Sequence, residues 1–117
     1  MRIKLAALVL LAAGQASAAE LTITLPGDAD LAPERIQVTY DRADKSMDVE
    51  YVNAGSVSLA SFVVEGEPVV AAIVLSASGA RYAGLQYIWW TKGDNASLYD
   101  LMQGEDAAPI LECTEKR

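Results

Sequence analysis

From Leu21 onward the chain is written in short runs of period near two, rich in Val, Ile, Thr and Tyr and cut apart by clusters of Gly, Asn, Asp and Pro. That alternation constrains the fold more than any other feature, because it sends successive side chains to opposite faces of extended strands. In residues 34–41, Ile36, Val38 and Tyr40 face one side while Gln37, Thr39 and Asp41 face the other. Met47, Val49 and Tyr51 repeat the pattern against Asp48 and Glu50. The short polar stretches 42–46 and 53–56 suit hairpin connections, so a meander begins here. Further runs at 21–25, 57–64, 68–75, 85–91, 97–101 and 109–113 bring the expectation to about eight strands. The run 69–75 is apolar without alternation, which predicts burial on both faces or a barrel stave beside the core. A short helix is the alternative there, since Pro68 opens the run and Ser76-Ala77-Ser78-Gly79 closes it after about two turns. An all-β domain of this size closes most economically into an antiparallel barrel or a two-sheet sandwich, because both leave few open edges.

The first nineteen residues belong to a different pattern. Arg2 and Lys4 give a short positive start, residues 5–13 an apolar stretch, and Ala16-Ser17-Ala18 a small-residue cleavage site. This reads as a secretory signal peptide over 1–19, cut after Ala18 or Ala19, followed by one domain over 20–117. The apolar stretch is far short of the roughly 20 residues that span a bilayer, so no membrane insertion is expected after cleavage. A lipoprotein needs a cysteine just after the cut, and the single cysteine here is Cys113. The expected location is therefore periplasmic. Loss of the leader removes two cations and takes the formal charge from −7 to −9.

Composition then narrows the chemistry. A chain of 117 residues with no histidine and one cysteine builds neither Ser-His-Asp nor Cys-His pairs, nor a His- or Cys-clustered metal site. No cofactor and no metal are expected. Lys92-Gly93 reverses the order of a P-loop, no GxGxxG occurs, and Asp41, Asp44 and Asp48 lack a calcium loop's spacing. A glycosidase-like carboxylate pair is the one enzymatic reading left, and nothing in the sequence places two carboxylates across a cleft. The acidic balance argues against nucleic acid and anionic membrane surfaces and favours a cationic partner.

Two loops stand out against this background. Residues 76–82, Ser-Ala-Ser-Gly-Ala-Arg-Tyr, and 91–95, Thr-Lys-Gly-Asp-Asn, flank a strand in which Tyr87 and Trp89 share one face and Ile88 and Trp90 the other. One tryptophan is expected in the core, and the other lies partly exposed or on an aromatic platform. Taken alone, Lys92 is a solvated turn lysine and Ser78 a turn hydroxyl bonding its own backbone.

Taken together, SASGARY (76–82) and WWTKGDNASL (89–98), in order and about six residues apart, resemble the MliC/PliC inhibitors of c-type lysozyme from Gram-negative envelopes. The likeness runs more weakly from residue 38 to Cys113. It implies a small eight-stranded antiparallel β-barrel, no enzymatic activity and a c-type lysozyme as partner. By motif position it assigns Ser78 and Lys92 to the lysozyme's active-site cleft, with Thr91 beside them and Tyr82 holding its loop by packing. Gly79, Arg81 and Gly93 shape the loops. The sequence departs from the family at one place: Cys113 matches the later of two usual half-cystines, while Tyr40 stands where the earlier is expected. A closed loop of that size contributes about 3–5 kcal/mol, so this domain must hold itself by packing, and Cys113 is left buried and inert or free to link a homodimer instead of a monomer.

Overall fold

The computed structural model describes residues 19–27 and 32–116, so the leader expected over 1–19 lies almost wholly outside the described residues. Eight antiparallel strands follow in chain order: β1 (Glu34–Arg42), β2 (Lys45–Ala54), β3 (Val57–Val64), β4 (Glu67–Val74), β5 (Ala80–Gly84), β6 (Tyr87–Lys92), β7 (Asn95–Asp100) and β8 (Leu111–Glu115). One 3-10 turn, Leu101–Gln103, stands between the last two. Each strand pairs with the next, and β8 returns to β1 through Tyr40↔Glu115 and Asp41↔Thr114, closing a barrel. The barrel alternative, rather than the sandwich, is the one the chain adopts.

One difference from the sequence reading concerns residues 21–25, which alternate like a strand yet form none, with Leu21 and Ile23 exposed. The eighth strand is instead β5, which begins within the stretch 76–82 that the sequence reads as loop. Its small residues allow close approach: a Cβ on Gly84 would stand 2.6 Å from the carbonyl oxygen of Val70 and 2.9 Å from Ala71 Cα, so β4 and β5 pack backbone to backbone there. The stretch 85–91 also divides, since Leu85 and Gln86 make the turn before β6.

Of the two readings of the run 69–75, the chain takes the barrel stave. Val69 and Ala71 face the interior and are fully buried while Val70 is half exposed, and from residue 72 to 75 every residue is exposed, Ile73 included, because the strand there reaches the rim. The segment after β7 lies beside the outer face of β6: Ile88, Leu101, Gly104 and Glu105 line one cleft, and Ile88 is buried although it points outward.

The interior is built around Trp89, which has no exposed surface. Its ring meets Tyr40 edge-on at 5.1 Å and 80° and lies 5.6 Å from Phe62. Its indole N–H donates to Tyr51 Oη at 2.8 Å, and the Tyr51 and Tyr40 hydroxyls share a hydrogen bond of 2.7 Å. Burial pushes both phenols above the ordinary tyrosine range. Tyr40, where the resemblance leads one to expect a half-cystine, anchors the core through its ring and hydroxyl. Cys113 lies on the neighbouring strand, buried, with its thiol donating to Ala96 O at 3.5 Å and pushed up to about 11 by burial.

Replacing Tyr51 by Phe keeps the ring but leaves the Trp89 N–H without its acceptor, at a cost of about 1–3 kcal/mol. Urea unfolding of Tyr51→Phe is expected to show that loss, while Tyr99→Phe, on the outer face of β7, stays within about 0.5 kcal/mol of the parent. Equal stability of the two variants would show that the buried hydroxyl network contributes nothing.

Candidate functional site

In an up-and-down barrel the connections alternate between two rims. The turn at Gly55 and Ser56, the loop 75–79 and the turn at Gly93 and Asp94 share one rim. The turns at 43–44, 65–66 and 85–86 and the segment 101–110 share the other. Strand β5 lies between β4 and β6, and the pair Ala80↔Thr91 opens its ladder with β6. The two loops singled out by sequence are thereby neighbours on one rim.

They are also in contact. Gly79 has φ +67, and a Cβ there would fall 2.1 Å from the Thr91 carbonyl oxygen and 2.9 Å from Lys92 Cγ. Only glycine meets both demands, the left-handed backbone and the missing side chain. Gly93, at φ +58, has open space where a Cβ would stand, so it serves the turn alone.

Trp90, on the outer face of β6, ties the two loops from outside. Its indole N–H donates to Ser78 O at 2.9 Å, and the Ser76 hydroxyl donates to the same carbonyl at 2.6 Å. The Lys92 ammonium lies 4.5 Å from the centre of the Trp90 ring, and the Arg81 guanidinium 5.7 Å from it. Thr91 Oγ1 donates to Ala80 O at 3.4 Å. Two exposed groups result, side by side on the rim. The Ser78 hydroxyl makes no hydrogen bond among the described residues, and the Lys92 ammonium meets no carboxylate within salt-bridge distance there. A hydroxyl and an ammonium offered together on a rigid ridge are donors for an acidic acceptor.

The structure brings together Ser78, Gly79, Thr91, Lys92 and Gly93, with Arg81 at the edge of the group. Tyr82 stands apart from them, buried inside the barrel and packed 5.6 Å from Tyr51, where it supports β5 from beneath. Trp90 is the member that sequence reasoning left undecided. Alternation already put it on the face opposite Trp89, but only the coordinates place its N–H against the Ser78 carbonyl.

These features define a small β-barrel that presents two conjoined loops, one with a serine and one with a lysine. Residues 40–107, which include both loops, match the family model described as MliC, the membrane-bound lysozyme-inhibitor of c-type lysozyme. A membrane-bound lysozyme inhibitor of C-type lysozyme from Cupriavidus necator is 45% identical over 107 residues, covering 90% of this chain and 86% of that protein. A protein of the same description from Pseudomonas aeruginosa is 40% identical over 95 residues, covering 80% and 74%. Among solved structures, Pseudomonas aeruginosa MliC crystallised with hen egg white lysozyme superposes with a TM-score of 0.68 at 36% identity, covering 86% of this chain and 99% of that one. The chain belongs to the MliC family.

The two glycines separate space from strain. Gly93→Ala meets only the left-handed backbone and is expected to cost about 1–2 kcal/mol while leaving tryptophan emission unchanged. Gly79→Ala must also move the Thr91 carbonyl, so the Ser78 carbonyl leaves Trp90 and the emission shifts. Identical spectra for both variants would contradict the close joining of the loops.

Proposed function

We propose that this chain inhibits c-type lysozyme by inserting its joined loops into the enzyme's active-site cleft, with the Lys92 ammonium and the Ser78 hydroxyl directed at the catalytic carboxyl groups. The observation that carries this reading is the pairing of those two exposed donors on one rim, fixed through Gly79 and Trp90. The names of the relatives and the neighbour's crystallisation with hen egg white lysozyme support the choice of partner.

The chemistry is favourable by magnitude. A retaining glycosidase holds its two carboxyl groups about 5–5.5 Å apart around the scissile bond, close enough for one short ridge to address both. Lys92 gives up a cation–π contact of about 0.5–1 kcal/mol at an exposed site. In return its N–H groups donate to a carboxylate, a bond of about 1.5–3 kcal/mol, so transfer from Trp90 to the enzyme is downhill. The Ser78 hydroxyl donates to the same acids and adds no charge. Two such contacts fall short of tight binding, and the rest comes from fit and from charge. A domain at −9 after loss of its leader attracts a cationic lysozyme over a Debye length, which speeds encounter at low salt. We place the protein in the cell envelope, exported by the leader over residues 1–19 and soluble in the periplasm.

Lysis of a cell-wall suspension by a c-type lysozyme tests the reading. The mature domain is expected to suppress lysis, and Lys92→Ala to weaken suppression by about tenfold or more without loss of folded protein. Suppression by the parent should also fall as salt rises. Folded parent protein that leaves lysis unchanged at micromolar excess would overturn the proposal.

A further inference from the structure

Ala72, Ile73, Val74 and Leu75 are exposed one after another, and Leu75, at 95%, is the most exposed large apolar side chain among the described residues. Single exposed leucines are ordinary, but an unbroken exposed apolar run is kept only where something covers it. No charge interrupts the sequence from residue 68 to residue 80 in a chain that is 21% charged. No element among the described residues packs over the end of β4.

The run is also held in place. The ladder pairs Ile73↔Tyr82 and Val74↔Arg81 fix it on one side. The two hydrogen bonds to the Ser78 carbonyl fix the loop on the other. Leu75 is therefore presented on a rigid support instead of swinging free.

Its position decides what covers it. Leu75 precedes Ser78 by three residues, a span of at most about 11 Å even for fully extended chain. A specific protein partner covers about 800 Å² of a surface, a disc of roughly 16 Å radius. A partner centred on Ser78 and Lys92 thus reaches Leu75. We propose that Val74 and Leu75 form an apolar shoulder of the inhibitory surface, landing on the apolar and aromatic lining of a c-type lysozyme's substrate cleft. The shoulder supplies a share of affinity that salt does not screen. This inference rests on the inhibitory reading of Ser78 and Lys92.

Binding of the mature domain to hen egg white lysozyme, measured by titration calorimetry at low and high salt, tests it with three variants beside the parent. Leu75→Ala is expected to weaken binding about tenfold at both salt concentrations, with an unchanged melting temperature and a less negative binding heat capacity. Leu85→Ala removes a side chain 64% exposed on the opposite rim and is expected to bind like the parent. Lys92→Ala loses affinity in a salt-dependent way. Parent-like binding by Leu75→Ala while Lys92→Ala is impaired overturns the shoulder and leaves the inhibitory reading standing. A Leu75→Ala defect that vanishes at high salt, or one confined to self-association in sedimentation, also overturns it. Absence of binding by the folded parent overturns both readings.

Discussion

The closure of one sheet around Trp89 is the constraint on which everything else in this domain depends. A single layer of eight strands has one interior, and the indole fills its centre with its N–H satisfied by Tyr51 and its face met by Tyr40 and Phe62. An edge-on aromatic pair contributes about 0.5–1.5 kcal/mol and each of the two hydrogen bonds a similar amount. Tyr40 takes part in both kinds of contact.

Closure also sets the site. Because strands alternate in direction, the loops before β5 and after β6 emerge on one rim, and because β5 separates β4 from β6 by a single strand, those loops touch. Trp89 and Trp90 divide the labour across one strand. The first holds the interior, and the second reaches outward to fix the Ser78 carbonyl and cradle the Lys92 ammonium. The ridge is thus anchored to the core one residue away.

How much of this was legible in the sequence depends on whether the signal was local. Alternation in residues 34–41 and 47–51 marked strands correctly because one buried face imposes period two on a single-layer barrel. The same rule failed at 21–25, where alternation is present but no strand forms, and at 80–84, where small residues that look like a turn are required by the approach of β4 to β5. The run 69–75 reads equally as doubly buried or as a barrel stave, because hydropathy does not say whether a covering layer exists, and it is the stave. The residues Ser78, Gly79, Thr91, Lys92 and Gly93 were legible only as two motifs in a fixed order. Their contact, and the part of Trp90 in it, is a product of register across three strands and has no local signature.

The claim at the centre is that one rim, and the conjoined loops on it, meets the enzyme. Backbone amide chemical shifts of the labelled mature domain, followed while unlabelled hen egg white lysozyme is added, address it most directly. Perturbations are expected to cluster at residues 75–79 and 90–95, together with the side-chain N–H of Trp90, and to leave the opposite rim at 43–44, 65–66 and 85–86 in place. Perturbations confined to that opposite rim, with the Trp90 indole signal unmoved, would contradict it.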